Sequence, residues 1–398
     1  MGRAPRIAII AGEASGDHLG GPLISELQSR FEGQAEFTGI GGEDMVARGM
    51  VTLFPMSEIA VMGPLAILRR LPSLLRRIQQ AAQSIVDWQP DVMVIIDCPE
   101  FSHRVASRVR AKLPDLPIID YVAPSVWAWR PWRAKSMVRY IDDVMAVLPF
   151  EPDVFVRLKG PRCRYVGHSA GERLSSDPGL IADLKARIPN QGPLLVVMPG
   201  SRMNEINRLV EPFSEAVARL VAEEPSLGVI MPVLPHTRDV IQAATANWAV
   251  QPTIVTDEKE RHAAMEAADA AIVASGTATL ELALAGTPMV VGYKMEAITA
   301  WVFRPLVSVP SIVLANLIHG DNPVPELFQS QCSGQKLAEA VGPLLRDTPQ
   351  RRAQVVALAD ITQKVRAPGK PPSAAAADIV VEAIERSFES GQNSVTIP

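Results

Sequence analysis

Few of the residues that mark a redox, metal or disulfide-built protein occur in this chain. Its 398 residues include three cysteines, Cys98, Cys163 and Cys332. They are odd in number and widely spaced, so they supply neither a disulfide framework nor a metal-ligand spacing and suit a reducing compartment. The six histidines are dispersed, with no H-x-H or H-E-x-x-H, so no metal site is expected. No D-x-D pair is present to chelate a divalent cation beneath a diphosphate. There is no G-K-[ST], and the turn after the first strand lacks G-x-G-x-x-G, which excludes a Walker loop and a dinucleotide fingerprint there. Long apolar runs are also scarce. The nearest, residues 299–318, contains Pro305 and Pro310, which break a helix; a buried or surface-lying segment is expected rather than a span. The N-terminus enters a strand at once, with too short an apolar stretch for a signal peptide, which predicts a cytoplasmic chain.

What is present is alternation. Short apolar runs at Arg6–Ala11, Val92–Asp97, Ile118–Val122 and Val144–Leu148 predict strands separated by helical patterns. A second series follows at Leu194–Met198, Gly228–Met231, Thr253–Thr256, Ala271–Ala274 and Met289–Val291. Runs apolar on both faces imply parallel sheets covered by helices on both sides. The fold class is therefore α/β, with two doubly wound Rossmann-like domains. The length suits two domains, placed at 1–168 and 169–366. A segment 367–398 follows, holding a helix over Ala374–Phe388 and a polar, fraying end. In open α/β sheets ligands bind beyond the carboxyl ends of the strands, which puts the expected site in a cleft between the domains.

The strand ends carry the chemistry. Ser275-Gly276-Thr277 is a small, hydroxyl-rich turn between a strand and a helix, suited to a phosphate or diphosphate. Glu281, one helical turn on, could accept hydrogen bonds from ribose hydroxyls. An ordinary strand-turn-helix explains the same residues equally well. Gly200 and Ser201 form another such turn, and Arg202 could pair with phosphate charge. Asp97 follows five apolar residues; half desolvated, its carboxylate could gain enough basicity to take a hydroxyl proton. A helix cap or an arginine partner is the alternative. The turn after the first strand holds Glu13, Ser15 and Asp17. No histidine is recognisably placed for Ser15, Ser125 or Ser201, which argues against a hydrolase triad.

Charge is uneven. Residues 62–139 carry 12 basic and 6 acidic side chains within a chain of net charge −4. Within Pro64–Trp88, Leu65, Leu68, Leu71, Leu75, Ile78, Ala82 and Ile85 fall at helical spacing. Arg69, Arg70, Arg76 and Arg77 lie mostly elsewhere around the axis, and Pro72 could kink it. Packing on its own domain and dipping into a membrane interface both fit this pattern. No nucleic-acid motif accompanies the arginines, so that partner is discounted.

Nine ordered strings resemble the signatures of the lipid-A-disaccharide synthase family. They are Gly12–Asp17, Gly39–Gly42, Met56–Gly63, Tyr121–Arg130, Leu148–Glu151, Tyr165–His168, Pro199–Arg202, Ser275–Glu281 and Val324–Gln329. M-S-E-I-A-V-M-G and P-S-V-W-A-W-R are the most discriminating. The resemblance implies a GT-B glycosyltransferase without cofactor or metal, whose C-terminal helix returns to the first domain. It implies transfer of 2,3-diacylglucosamine from its UDP derivative to the 6-hydroxyl of 2,3-diacylglucosamine 1-phosphate (lipid X), with inversion to a β-1',6 linkage. Asp97 matches the proposed base. Gly200, Ser201, Arg202, Ser275, Gly276, Thr277, Thr279 and Glu281 match the nucleotide and diphosphate side, with Asn316, Glu326 and Gln329 in a further nucleotide-side signature. Glu13, Ser15, Gly16, Asp17, Ser125, Trp127 and Arg130 become acceptor-side candidates. Leu68, Arg69, Arg70, Leu71, Arg76 and Arg77, with Trp127, Trp129 and Trp132, become candidates for docking on the inner-leaflet surface, against core packing for the tryptophans. A homodimer is plausible on the same ground. Departures from the pattern are Ser169, Ala315 and His319-Gly320-Asp321; the last puts one cationic contact in doubt. A UDP-sugar epimerase, or another transferase acting on a lipid-linked acceptor, is the alternative function.

Overall fold

The computed structural model describes residues 3–59, 64–172, 177–295, 310–366 and 369–392, with only the backbone of 64–69, 172 and 389–392. The chain divides into two compact units, Met1–Ser169 with Ala367–Pro398, and Ala170–Arg366.

The first unit is built on β1 (Arg6–Ala11), β2 (Glu36–Ile40), β3 (Val51–Thr52), β4 (Val92–Ile96), β5 (Ile118–Tyr121), β6 (Asp143–Ala146) and β7 (Arg162–Tyr165). They form one sheet in the order β3-β2-β1-β4-β5-β6-β7, with every pairing parallel. All five residues of β4 are buried, because helices cover both faces and leave no polar side to alternate with. One face packs on Ile78, Ala81, Ala82 and Ile85 of the Pro64–Trp88 helix and on Val105 and Val109 of the Pro99–Arg110 helix. The other packs on Leu23, Ile24 and Leu27 and on the Pro372–Gln392 helix through Ala376, Ala377, Val380 and Ile384. Ion pairs clip that last helix in place: Arg30 to Asp378 at 2.7 Å and Arg386 to the buried Asp143 at 2.9 Å.

The second unit repeats the plan with β8 (Leu194–Met198), β9 (Gly228–Pro232), β10 (Thr253–Val255), β11 (Ala270–Val273), β12 (Met289–Tyr293) and β13 (Glu326–Phe328). Their order is β10-β9-β8-β11-β12-β13, again all parallel. Each sheet reverses its winding once, between β1 and β4 in the first unit and between β8 and β11 in the second. The crevice at such a reversal is where doubly wound sheets bind ligands.

Four strands escape the apolar pattern. β2 contains Gly39, β3 has two residues, β7 reads R-C-R-Y at an edge, and β13 has three residues. β3, β7 and β13 are short or edge strands that need no continuous apolar run, and in β2 Glu36, Thr38 and Gly39 interrupt it, so composition does not flag them. The last helix also runs longer than the expected Ala374–Phe388, from Pro372 to Gln392. The polar end beyond residue 392, residues 299–309 and the side chains of Leu65, Leu68 and Arg69 lie outside what is described. Among the described residues, no helix is long and apolar enough to cross a membrane.

The Pro64–Trp88 helix keeps Pro72 within it. From Leu74 onward it faces the core, whereas Leu71 and Leu75 are 37% and 42% exposed. Arg70 and Arg76 are exposed beside them. Arg77 differs from its neighbours: its Nε donates to Glu58 at 2.8 Å and its guanidinium lies 4.6 Å from the centre of the Phe54 ring. It fastens the helix to its own unit and is withdrawn from the docking set.

Candidate functional site

The first half-site occupies the reversal between β1 and β4, whose ends are paired through Ala11 and Ile96. After β1 the chain turns at Gly12 and enters the Ala14–Arg30 helix, so Glu13 and Ser15 sit at that helix's start. Gly12 lies under the Cys98 side chain; a Cβ there would stand 2.6 Å from Cys98 Sγ. Gly16 is held less tightly, its Cβ meeting the Ile96 carbonyl oxygen at 3.3 Å. Both glycines let the helix start pack directly on the strand ends.

Asp97 and Cys98 are consecutive residues in the left-handed region, with φ of 52° and 49°. For residues with a Cβ this costs on the order of 1 kcal/mol or more each, and such strain concentrates at functional sites. Local bonds sustain it. Asp97 Oδ1 accepts from the Cys98 backbone N–H at 2.8 Å, and the Ser102 hydroxyl donates to the Asp97 carbonyl at 2.7 Å. The carboxylate is half-buried at the strand end. Burial and the nearby carboxylates of Glu13 and Asp97 push the Cys98 thiol up to about 11, so it stays protonated and unreactive at neutral pH.

Asp17 has a different job. It is buried, and its two oxygens accept from the backbone N–H groups of Gly42, Asp44 and Met45 at 2.8, 3.0 and 3.1 Å. It caps the Glu43–Val46 helix and ties down the Gly41-Gly42 turn. Beyond β5, Ser125 is exposed and its carbonyl receives the N–H groups of Ala128 and Trp129. Trp127 turns inward: its indole N–H donates to the buried Glu151 at 3.1 Å and its ring stands edge-on to Phe150. Core packing therefore claims Trp127, while Trp132 is 65% exposed. Arg130 lies 4.2 Å from the centre of the Trp129 ring and 3.2 Å from Glu100.

The second half-site occupies the reversal between β8 and β11, paired through Met198 and Val273. Gly200 has φ of 109°, and a Cβ there would approach Glu205 Oε2 to 2.6 Å. Only glycine suits this position on both counts. Arg202 begins the Met203–Glu223 helix, is 68% exposed and pairs with Glu205 at 3.3 Å. Gly276, with φ of 153° and open space around it, leads into the Ala278–Leu284 helix. Thr279 is buried and donates to the Gly276 carbonyl at 2.8 Å, closing the turn from beneath. Glu281 follows half-buried on that helix.

A strap of residues 311–313 braces this turn. Ser275 Oγ donates to the Ile312 carbonyl at 2.7 Å, and Ile312 N–H donates to Glu326 at 3.1 Å. Ser311 also donates to Glu326. Asn316, buried, donates to Glu326 at 2.7 Å and to the Val324 carbonyl, and accepts from the Val324 N–H at 3.0 Å. Gln329 binds the backbone of Met295 through both ends of its amide, at 3.2 Å each. Asn316, Glu326 and Gln329 thus shape the turn through the chain's own backbone. Glu100, Glu205 and Ser311 add contacts at these two places; Glu100 and Ser311 carry no sequence signal of their own, whereas Glu205, three residues after Arg202 on a helix, follows from spacing.

Two parallel doubly wound units recur in solved structures of low sequence identity. The kitacinnamycin glycotransferase aligns with a TM-score of 0.65 and 18% identity over 96% of this chain and 100% of that one. UDP-GlcNAc 2-epimerase from Neisseria meningitidis aligns with a TM-score of 0.58 and 12% identity over 96% and 100%. The fold is that of the GT-B glycosyltransferases, and the chain is a glycosyltransferase. Its sequence specifies more. The profile of the family described as lipid-A-disaccharide synthetase matches residues 7–380. The lipid-A-disaccharide synthase of Rhodopseudomonas palustris (strain HaA2) is 44% identical over 385 residues, covering 97% of this chain and 98% of the relative. The chain belongs to the lipid-A-disaccharide synthase family.

Proposed function

We propose that the protein transfers 2,3-diacylglucosamine from UDP-2,3-diacylglucosamine to the 6-hydroxyl of lipid X, releasing UDP and forming the β-1',6-linked disaccharide 1-phosphate. The donor is an α-linked sugar nucleotide and the product is β-linked, so a single in-line displacement inverts the anomeric carbon. Asp97 acts as general base on the acceptor hydroxyl, from a strand end where strain and partial burial hold its carboxylate in place. Glu13, Ser15, Gly16, Ser125 and Arg130 form the acceptor side around it; Asp17 and Trp127 support it by holding neighbouring turns. The departing diphosphate is met by Arg202 and by the Gly200-Ser201 and Ser275–Thr277 turns, which supply charge and N–H donors without a metal ion. Glu281 accepts from the ribose hydroxyls, while Thr279, Asn316, Glu326 and Gln329 keep that side in shape.

The observation that carries this reading is the strained Asp97 at the winding reversal of the first sheet, with the Arg202 and Ser275–Thr277 turns at the reversal of the second. Purified protein given both substrates should yield disaccharide and UDP, with a β configuration at the new anomeric carbon by NMR. Asp97→Asn should lower kcat by about 10²–10⁴-fold and leave UDP affinity unchanged. Full turnover in that variant removes Asp97 from the role. Conversion of the UDP sugar alone to an epimer would favour the epimerase reading instead.

Both substrates carry acyl chains, so the protein works at the inner-leaflet surface. Arg70, Leu71, Leu75 and Arg76 present an exposed apolar and cationic strip suited to anionic headgroups.

A further inference from the structure

Beneath the first half-site lies a carboxylate that none of these steps uses. Glu151, at the start of the Glu151–Arg157 helix, is 1% exposed. Oε1 accepts the indole N–H of Trp127 at 3.1 Å, and Oε2 accepts the backbone N–H of Leu148 at 3.0 Å. The Trp127 ring stands edge-on to Phe150 with centroids 5.3 Å apart. Ala123 and Val126, on the same loop, are buried in the adjoining core. Glu151 therefore grips the loop between β5 and the Trp132–Met137 helix from below.

The far end of that segment is fastened to the Asp97 turn. Arg130 and Arg133 reach Glu100 at 3.2 and 3.3 Å, and Arg133 donates to the Pro99 carbonyl at 3.3 Å. Pro99 and Glu100 are the residues that follow Asp97 and Cys98. Two loop residues, Val122 and Arg130, hold positive φ of 79° and 54°, so the loop follows a path that relaxed backbone would not choose. The partners of Glu151 are N–H donors and not cations, so burying a carboxylate there is costly against a neutral residue. Hydrophobic packing alone would close this part of the core at lower cost. What the carboxylate adds is a directed acceptor for one indole.

We propose that Glu151 is a positioning residue for the acceptor: through Trp127 it sets the path of the 122–131 loop against the Asp97 turn, and so the alignment of the acceptor hydroxyl with that carboxylate. The inference rests on the reading of Asp97 as base and of Ser125 and Arg130 as acceptor contacts.

The test uses full-length protein carrying Trp127→Phe, Glu151→Leu or both, assayed with each substrate varied in turn; leucine keeps much of the volume and removes both acceptor oxygens. Trp127→Phe keeps an aromatic ring against Phe150 while removing the N–H donor and part of the indole, so it guards against a variant that merely unfolds. Each single variant should raise acceptor KM by about five-fold or more and lower kcat, with donor KM within about two-fold of the wild type. The double variant should be no worse than the poorer single, because both delete one shared bond. Equal effects on the two KM values, multiplying effects in the double variant, or unchanged kinetics would each overturn the positioning role. Wild-type protein that forms no disaccharide would overturn the reading beneath it, and this role with it.

Discussion

At the scale of single residues, positive φ occurs at both winding reversals. Asp97 and Cys98 take positive φ in succession, and Gly200 and Gly276 take it at the other winding reversal. Gly200→Ala should destabilise the protein by about 1–3 kcal/mol, and the Cβ pressing on Glu205 should also disturb its pair with Arg202. Urea denaturation together with UDP titration checks both effects; a stable variant with native affinity would mean that the turn tolerates another path. Glu151 supplies a pH-dependent case. Burial raises its carboxyl to about 7 from the ordinary 4.5, with Asp120 adding to the rise. Cys163 and Tyr165, on the facing strand β7, are themselves pushed up by burial and by Glu151. The folded state binds this proton more tightly than the unfolded chain. Its contribution to stability is therefore full below about pH 4.5 and lost as pH rises through about 7. Glutamine cannot titrate, so the stability of Glu151→Gln relative to wild type should rise between pH 5 and pH 8, by on the order of 2–3 kcal/mol. Parallel stability curves for the two proteins would show that Glu151 does not titrate in this range.

Among the elements, the Pro64–Trp88 helix shows how one amphipathic pattern serves two faces. Its residues from Leu74 onward contribute Ile78, Ala81, Ala82 and Ile85 to the core, while Leu71 and Leu75 stay exposed next to Arg70 and Arg76. Helical spacing alone assigns all these leucines and isoleucines to one stripe. Ile85→Ala should cost about 2–5 kcal/mol through the cavity it leaves. Leu71→Ser with Leu75→Ser should change stability by no more than about 0.5 kcal/mol per site, as for exposed positions. The same pair should lower the fraction of protein that sediments with anionic vesicles, more so when Arg70 and Arg76 are also replaced by Ser. Unchanged sedimentation would remove this strip from membrane docking. The basic zone was thus legible as a zone, but the division of its arginines was not. Arg77 reaches Glu58 and Phe54, residues 19 and 23 positions earlier, and no local pattern records such a partner.

For the whole molecule, two units share one winding plan and differ in what their reversals carry. The proposed base, Asp97, lies in the unit of Met1–Ser169 and Ala367–Pro398, and the turns proposed to hold the diphosphate lie in Ala170–Arg366. UDP should therefore slow amide hydrogen exchange in the second unit, first around residues 199–203 and 275–281. Protection concentrated instead in residues 6–30 and 92–102 would reverse the assignment of the two units.

Fold class, the buried strands and the small-residue turns after them follow from the sequence itself, because apolar runs between helices and small residues after strands are local consequences of burial and backbone freedom. The order of the strands is not local. It decides that β1 lies beside β4 and β8 beside β11, and so sets the turns after β1 and β4, and those after β8 and β11, at neighbouring strand ends across many intervening residues. Tertiary packing alone also decided which polar groups turn inward: Asp17 onto three backbone N–H groups, Asn316 and Glu326 onto the strap beside Ser275, and Trp127 onto Glu151. A hydrogen bond's partner depends on where distant segments of chain meet, and neither spacing nor composition carries that information.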